Sequence, residues 1–291
     1  MLKYLLKAMR PKQWTKNMFI FAALVFDRKL FDLPSLGRTA IAFGLFCLLA
    51  SSVYLINDVV DREADKLHPV KKNRPIASGK LSVSLAIIVA ILLSVIALIG
   101  SYLLNLDTLI FFLAYFVLNL AYSKWLKHIP LIDVLVIAAC FVLRVAVGVS
   151  VIHVERFSPW LYVVMTLLAL YIGFGKRRSE LMVLLPDSSA SHRKVLAGYS
   201  LELIDQLITV VSATTIIAYS LYTFSAPNLP QNHTMMLTIP FVIYGIFRYL
   251  TLMQIDKKGG EPEELLISDR PLQVTVFLWG LTVLLIFYLS K

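Results

Sequence analysis

Only two cysteines occur in the 291 residues, and both lie inside long apolar stretches. Two such thiols are too few for a disulfide framework or a cysteine-ligated metal centre, so we expect Cys47 and Cys140 to pack as small apolar side chains. Charged residues are also scarce, at 16% of the chain, whereas hydrophobic residues make up 58%. This composition excludes an ordinary soluble domain and is typical of an integral membrane protein.

The sequence also lacks a Gly-Ser linker, a tandem repeat and any low-complexity stretch. Nothing in the composition marks a boundary between independently folding parts. We therefore expect one membrane domain over residues 1–291.

Long apolar segments recur along the chain, each near the length that crosses a bilayer as an α-helix. We expect an all-α polytopic membrane protein with about nine transmembrane helices. The predicted spans are 14–33, 36–57, 81–100, 103–122, 129–151, 160–176, 203–225, 235–253 and 271–290. The basic leader Met1–Lys12 is followed by no small-residue cleavage site, so we expect no removable signal peptide.

The net charge of +10 would suggest a nucleic-acid partner in a soluble protein, but here the positions of the charges decide the interpretation. Most Lys and Arg residues fall in the leader and in the loops on one side of the nine-span arrangement. The positive-inside rule assigns that side to the cytoplasm. We expect a multi-pass plasma (inner) membrane protein with its amino terminus inside and its charged loops cytoplasmic, and no nucleic-acid partner.

Three carboxylates and an amide follow one another where the second predicted span ends. Asp58, Asp61 and Asp65 are spaced i, i+3 and i+7, which places them on one face of a helix, and Asn57 precedes them. Such a face repels itself unless a cation binds it. Mg²⁺ prefers oxygen ligands and commonly bridges one or two carboxylates to substrate phosphates. The sequence therefore predicts a magnesium and diphosphate site.

Basic residues follow this acidic face directly. Two prolines and a glycine break any helix in the loop at 66–80, which carries Lys71, Lys72 and Arg74. Cations beside a carboxylate-bound metal are suited to phosphate oxygens. The alternative is an ordinary cytoplasmic loop whose bases only set topology. That alternative does not explain the carboxylates, which contribute little to topology.

Polar residues also stand at the mouths of other spans, where a cavity or a partner must accept them. Lys16 and Asn17 follow the leader, and we expect them to contact phosphate or substrate. Asp133 lies just inside the fifth predicted span and needs a cation, for which Lys127 or a magnesium ion could serve.

Two further sets of cations call for partners. Arg144 lies well inside a span, where an unpaired guanidinium costs about 2.5 to 3.5 kcal/mol; we expect a brace to a carboxylate, with an anionic head group as the alternative. Lys176 and Arg177 end the sixth span, where we expect ligand contacts, with anchoring to anionic lipid as the alternative. Lys176 and Glu180 share a helical face and could pair.

The pattern Asn-Asp-x-x-Asp-x-x-x-Asp at 57–65, followed by Asn-Arg-Pro-Ile-Ala-Ser-Gly at 73–79, resembles the UbiA superfamily of intramembrane prenyltransferases. The resemblance implies a helical bundle around a lipid-open cavity, with the first acidic motif holding Mg²⁺ and a diphosphate. Usual members carry a second Asp-rich motif after the sixth helix. This chain departs there, with Glu180 as the nearest acid and Asp187 further on.

That departure, with the motifs at 10–17, 68–75 and 122–127, is similar to the phosphoribosyltransferase branch of the superfamily. The branch joins polyprenyl phosphate to 5-phosphoribosyl 1-diphosphate, releases diphosphate and feeds arabinose donors into cell-envelope polymers. A donor with both a diphosphate and a 5-phosphate suits one acidic motif and an added set of cations. A homo-oligomer is compatible with these residues.

By this resemblance Asp58 and Asp61 are the expected catalytic residues, with Asn57 and Asp65 completing the metal set. The expected substrate-binding residues are Lys16, Asn17, Asn57, Asp65, Lys71, Lys72, Arg74, Tyr122, Lys127, Lys176 and Arg177. The alternatives are a prenyltransferase that moves an isoprenyl chain from its diphosphate to an aromatic acceptor, and a lipid transporter. The weak second motif argues against the first, and the crowding of charges on one side argues against the second.

Overall fold

The computed structural model describes residues 1–68, 70–152, 154, 158–184, 194–226, 229–254, 265 and 268–289, and the elements in these ranges are helical, as predicted. The α-helices are α1 Leu2–Met9, α2 Ala22–Phe26, α3 Leu33–Val60, α4 Arg62–Leu67, α5 Val83–Leu104, α6 Leu106–Lys124, α7 Ile132–Val151, α8 Pro159–Leu184, α9 Leu201–Ser225, α10 Ile239–Gln254 and α11 Arg270–Leu289. Short 3₁₀ helices lie at Pro11–Phe21, Lys71–Asn73, Leu126–His128, Lys194–Gly198 and Thr234–Thr238.

Within the described ranges, eight helices are long and apolar enough to cross a membrane. They match the second to ninth predicted spans. The first predicted span, 14–33, is instead the 3₁₀ helix Pro11–Phe21 continued by α2, so the expectation of about nine spans is close to what the structure shows.

The 3₁₀ helix Pro11–Phe21 presents one side to its neighbours. With three residues per turn, Trp14, Asn17 and Ile20 align on that side. Asn17 and Ile20 are fully buried. The carbonyl of Ile20 approaches Gly148 of α7 so closely that a Cβ on that glycine would lie 2.0 Å from the oxygen.

Several long helices begin at a side-chain cap that the sequence supplies. Asp32 accepts a hydrogen bond from the Ser35 amide at the start of α3, and Asn105 accepts one from the Thr108 amide at 2.7 Å at the start of α6. Ser82 and Ser200 do the same for α5 and α9. Each cap satisfies an amide that has no partner within the helix, which fixes where the helix begins.

The chain divides into two compact units, so the single-domain expectation stays a prediction. The first unit is Met1–Lys127 with Leu143–Glu155. In it α3 packs on α5 and α6, and the ring of Phe46 contacts those of Phe112 and Tyr115 at 5.1 and 4.5 Å between centroids.

The second unit is His128–Val142 with Arg156–Lys291. Its core joins the start of α7 with α8, α9 and α10 through buried apolar side chains that include Val134, Phe174 and Ile208. The Tyr171 hydroxyl donates to the carbonyl of Ile246 at 2.8 Å, which satisfies the polar end of a buried ring.

The outward surface of the spanning helices is apolar. In α5, for example, Ile88, Ile91 and Leu103 are each more than half exposed, and the mean hydropathy of an 18-residue stretch of this helix is 3.0. Large apolar side chains remain exposed in this way where the surrounding solvent is lipid. The protein is therefore a multi-pass membrane protein.

Replacing Gly148 with alanine should destabilise the first unit. The added methyl would overlap the Ile20 backbone oxygen, which cannot rotate away as a side chain can. We expect a loss of about 1 to 3 kcal/mol in the free energy of unfolding. Thermal unfolding in detergent measures it, with Gly37→Ala as the control, since nothing lies within 4 Å of a Cβ at Gly37. An unchanged unfolding midpoint for Gly148→Ala would contradict the close approach.

Candidate active site

A cluster of two carboxylates and two guanidinium groups lies at the end of α3. Arg10 donates through Nη2 to Oδ1 of Asp58 at 2.5 Å. Nη1 of Arg74 lies 3.2 Å from the same oxygen and 2.6 Å from Oδ2 of Asp65. The Asp58 side chain is 2% exposed, whereas those of Arg10 and Arg74 are 27% and 24% exposed. The carboxylates are therefore covered by cations that themselves reach solvent.

The predicted acidic face explains how this cluster forms. Asp58 is in the last turn of α3, Asp61 is the residue at which that helix ends, and Asp65 lies in α4, which follows directly. The spacing of three and four residues keeps Asp58 and Asp65 on one side, where both reach Arg74. The structure confirms the predicted alignment of Asp58 and Asp65, because both contact the guanidinium group of Arg74.

The loop after α4 has a fixed shape that presents Arg74. The amide of Ser78 donates to the Arg74 carbonyl at 2.9 Å, and the amide of Leu81 donates to the Pro75 carbonyl at 2.9 Å. Gly79 has φ of 74°, a left-handed conformation that glycine adopts without strain. Ile76 and Leu81 are buried in the same apolar cluster as Leu55 of α3, which ties the loop to the helix.

Arg10 was missed as a site residue by sequence reasoning, which treated it as a topology signal. Arg10 has φ of 54° and lies between α1 and the 3₁₀ helix. The proline that follows it, Pro11, cannot continue α1. Its guanidinium carbon lies 4.9 Å from the ring centroid of Tyr54, an attractive cation–π distance. The Arg-Pro break and the motif at 10–17 were the signals in the sequence, and only the fold shows that Arg10 contacts Asp58.

A second ion pair joins two residues that the sequence predicted separately. Nζ of Lys127 lies 2.6 Å from Oδ1 of Asp61, and both side chains are partly exposed. Lys127 follows α6 in the short 3₁₀ helix Leu126–His128, so this pair brings a distant part of the chain to the acidic motif. Lys127 or a magnesium ion was expected as the cation for Asp133, but Lys127 pairs with Asp61 instead.

The remaining residues of the first unit that were predicted to contact substrate differ in burial. Lys16, Asn57, Lys71 and Tyr122 are partly buried and Lys72 is exposed, and their substrate contacts stay predictions.

Asn17 is fully buried and accepts a hydrogen bond from Nε of Arg144 at 2.9 Å, while its own amide nitrogen donates to Sγ of Cys47 at 3.2 Å. The Arg144 guanidinium also donates to the Tyr115 hydroxyl at 3.2 Å and lies over the rings of Phe46 and Tyr115. These contacts make Asn17 and Arg144 parts of one brace inside the spanning segments, with an amide and a phenol where a carboxylate was expected.

In the second unit, Arg177 is buried in an ion-pair network rather than exposed to a ligand. Nε of Arg177 lies 2.9 Å from Oδ2 of Asp133, and its Nη1 pairs with Glu180. Asp133 is fully buried and Arg177 is 2% exposed. The cation that Asp133 required is therefore Arg177. Lys176 is partly exposed, and its expected ligand role stays a prediction.

Tyr199 completes this network. Its hydroxyl donates to Oδ1 of Asp133 at 2.7 Å and accepts from the amide of Leu131 at 2.6 Å. Burial raises the pKa of Tyr199 above its ordinary value, and the hydrogen bond to Asp133 raises it further. The phenol therefore keeps its proton and remains a donor to the carboxylate.

The acidic motif fits a divalent metal held together with substrate. In the part of the chain that is described, no three His, Cys, Asp or Glu side chains group closely enough to form a metal site alone. Mg²⁺ at phosphate sites usually takes one or two carboxylates and completes its shell with substrate oxygens and water. Asp58 and Asp65 meet that requirement, because both carboxylates reach one guanidinium and so lie near each other.

The chain thus combines membrane-spanning helices with carboxylates and cations paired at the end of one of them. The model of the UbiA prenyltransferase family matches residues 18–266, and the chain belongs to this family.

Similar proteins include decaprenyl-phosphate phosphoribosyltransferase from Mycobacterium tuberculosis, 34% identical over 95% of this chain and 92% of the relative. The Corynebacterium glutamicum protein of the same name is 33% identical over 98% of this chain and 87% of its own length. The structure of a UbiA homologue from Archaeoglobus fulgidus bound to DMAPP and Mg²⁺ superposes with a TM-score of 0.75 and 18% identity, covering 97% of this chain and 98% of that one. This likeness confirms the expected fold.

The buried pair of Asp133 and Arg177 can be tested by a double-mutant cycle. Arg177→Met should destabilise the protein by about 3 to 5 kcal/mol, because it leaves a buried carboxylate without its cation. Adding Asp133→Asn should recover part of that loss. Thermal unfolding in detergent reports both. Arg178→Met is the control, since Arg178 pairs with the more exposed Asp205. Additive losses in the double variant would contradict the pairing.

Proposed function

We propose that this protein transfers a 5-phosphoribosyl group from 5-phosphoribosyl 1-diphosphate to a polyprenyl phosphate and releases diphosphate. Family membership makes it a transferase, and its relatives over most of the chain carry the name of this activity. The observation that carries the proposal is the pairing of Asp58 with both Arg10 and Arg74. A carboxylate covered by two exchangeable guanidinium groups suits a phosphate-rich donor.

The cluster could accept a diphosphate that enters with Mg²⁺, since the metal would offset part of the added negative charge. The charges of Asp58 and Asp65 offset those of Arg10 and Arg74. When the donor binds, the guanidinium groups can turn from the carboxylates to the diphosphate oxygens, which planar forks bind well. Bound Mg²⁺ would neutralise charge on the leaving diphosphate, and Asp58, Asp61, Asp65 and Asn57 are the residues that would hold it.

The acceptor needs little chemical activation. A phosphate monoester of a polyprenol is already ionised near neutral pH, so its oxygen can attack the anomeric carbon without a general base. The bond from that carbon to the diphosphate breaks as the new bond to the lipid phosphate forms. Arg74 and Lys71 then stabilise the charge that develops on the leaving group, which is electrostatic stabilisation of the transition state.

The roles of the other cations follow from their burial. Lys127 lies on Asp61 and is partly exposed, so we assign it to a phosphate oxygen once the donor displaces it. Lys16, Lys72, Tyr122 and Lys176 are further candidates for the 5-phosphate or the lipid phosphate. Arg177 is held by Asp133 and Glu180, and we assign it a bracing role next to Lys176.

The setting of the reaction follows from the distribution of charge. We propose that the chain lies in the plasma membrane with its amino terminus and the acidic motif on the cytoplasmic side, where phosphorylated sugars are available. Its product would supply arabinose donors for cell-envelope polymers. A homo-oligomer stays a prediction.

Removing the carboxylate of Asp58 or that of Asp61 should abolish turnover. We expect Asp58→Ala and Asp61→Ala each to lower magnesium-dependent diphosphate release by at least about a hundredfold. Asp107→Ala is the control, because Asp107 is an exposed carboxylate in the first turn of α6, outside the cluster. Release of diphosphate from labelled donor measures the effect. Near-normal turnover in both variants would overturn the site assignment.

A two-substrate assay separates the proposed reaction from prenyl transfer. The purified protein should form a labelled lipid from phosphoribosyl diphosphate and polyprenyl phosphate, and no product from isoprenyl diphosphate and an aromatic acid. Product from the second pair alone would make the protein a prenyltransferase instead. Movement of labelled lipid across vesicles without diphosphate release would indicate a transporter.

A further inference from the structure

Ser51 of α3 holds the chain on both sides of Arg10. Its side chain is fully buried. Its hydroxyl donates its one proton to the carbonyl oxygen of Met9 at 3.1 Å and accepts a hydrogen bond from the indole N–H of Trp14 at 3.0 Å. The Met9 carbonyl belongs to the peptide group that joins Met9 to Arg10. Ser51 therefore fixes the backbone directly before Arg10 and also holds the side chain of Trp14, which follows within the 3₁₀ helix.

The backbone of Arg10 has a conformation that needs such support. Its φ of 54° and ψ of 59° lie in the left-handed region, which residues other than glycine adopt only where neighbouring contacts hold them. The Arg10 carbonyl accepts a hydrogen bond from the amide of Gln13 at 2.9 Å, at the start of the 3₁₀ helix. Because the bonds to Ser51 lie on either side of this turn, they oppose a return of Arg10 to an ordinary conformation.

One face of α3 contacts both ends of Arg10. Ser51, Tyr54 and Asp58 are spaced i, i+3 and i+7, which places them on one side of the helix, over about 10 Å of its axis. The guanidinium carbon of Arg10 lies 4.9 Å from the centroid of the Tyr54 ring, and its Nη2 donates to Oδ1 of Asp58 at 2.5 Å. The helix thus holds the backbone beside Arg10 through Ser51 and the guanidinium group through Tyr54 and Asp58.

We propose that Ser51 is a positioning residue that holds Arg10 for the donor diphosphate, and that Trp14 shares this role. The inference rests on the proposed function, in which the guanidinium group of Arg10 turns to diphosphate oxygens, and it adds a residue that acts only through Arg10. Because the backbone beside Arg10 is fixed, only the side chain has to move between Asp58 and the donor. A guanidinium group held within reach in this way loses less conformational freedom when it binds.

The neighbouring Ser52 shows what a hydroxyl does when it only supports helix packing. Ser52 is also fully buried, and its hydroxyl donates to the Leu49 carbonyl at 2.7 Å and lies 2.9 Å from the hydroxyl of Ser94. These two partners belong to α3 and α5, so the bonds of Ser52 support the packing of those helices. Ser52→Ala is therefore a matched control for Ser51→Ala, with the same change of side chain, the same helix and the same burial.

Direct binding of magnesium pyrophosphate tests the role of Ser51. We expect Ser51→Ala to weaken the affinity about three- to tenfold, the effect of one lost hydrogen bond, because Arg10 would then occupy positions out of reach of the ligand. Calorimetry on the full chain in detergent, with Mg²⁺ and inorganic pyrophosphate, measures it. Ser52→Ala should leave the affinity unchanged. In turnover, the KM for phosphoribosyl diphosphate should rise in Ser51→Ala, whereas the KM for polyprenyl phosphate should not.

An Arg10→Ala background separates positioning from a general loss of stability. If Ser51 acts through Arg10, Ser51→Ala should weaken pyrophosphate binding no further in a protein that already carries Arg10→Ala. An equal loss with and without Arg10 would indicate a merely structural role and would overturn the proposal.

Trp14→Phe is the second variant, and it decides the question if Ser51→Ala does not fold. It keeps an aromatic ring but removes the N–H that Ser51 accepts, while the bond to Met9 remains. We expect a smaller loss of pyrophosphate affinity, about two- to threefold, that again disappears in Arg10→Ala. A loss that persists in Arg10→Ala would contradict the proposal.

The outcomes distinguish a failure of this inference from a failure of the proposed function. No product from wild-type protein with phosphoribosyl diphosphate and polyprenyl phosphate would contradict the proposed function itself. With an active wild-type protein, an unchanged pyrophosphate affinity in Ser51→Ala, or an equal loss in Ser52→Ala, would overturn the assignment of Ser51 alone.

Discussion

The pairing of Asp58 with Arg10 and Arg74 is the interaction on which the site depends. A carboxylate that is 2% exposed at the end of a membrane-spanning helix is costly unless cations cover it. Arg10 reaches it from the leader and Arg74 from the loop after α4, so three separate parts of the chain meet at one oxygen. The site is held together by ion pairs whose guanidinium groups also reach solvent.

The second unit also buries a carboxylate, but the groups that compensate its charge are themselves buried. Asp133 is fully buried, and Arg177 and Tyr199 both contact it at 2.9 Å or less. Arg177 is itself 2% exposed, so no substrate could take its place on Asp133 without disrupting the core. The two networks therefore differ in whether the cation is buried, and we infer that this difference gives them different roles. The Asp58 cluster is suited to exchange, and the Asp133 network is suited to permanent support.

Hydropathy and periodicity in the sequence were enough to predict the helical class, the second to ninth spans and the shared face of Asp58 and Asp65, because these follow from local composition and spacing. The partners of the ionised groups could not be predicted in the same way. Lys127 pairs with Asp61 and Arg10 with Asp58 across 66 and 48 residues, distances that only tertiary packing closes. The 3₁₀ helix Pro11–Phe21 was also missed, because an apolar run looks the same to hydropathy whether it contains three or 3.6 residues per turn.

The geometry of this 3₁₀ helix limits the insertions that the first unit can tolerate. Trp14, Asn17 and Ile20 meet Ser51, Cys47 and Gly148 because a spacing of three residues returns each to the same side. In an α-helix, Ile20 would be rotated about 120° away from Trp14. Inserting one residue between Trp14 and Ile20 would likewise turn Ile20 away from the side that Trp14 occupies. The three-residue spacing within this segment is therefore more strictly constrained than the identity of its exposed residues.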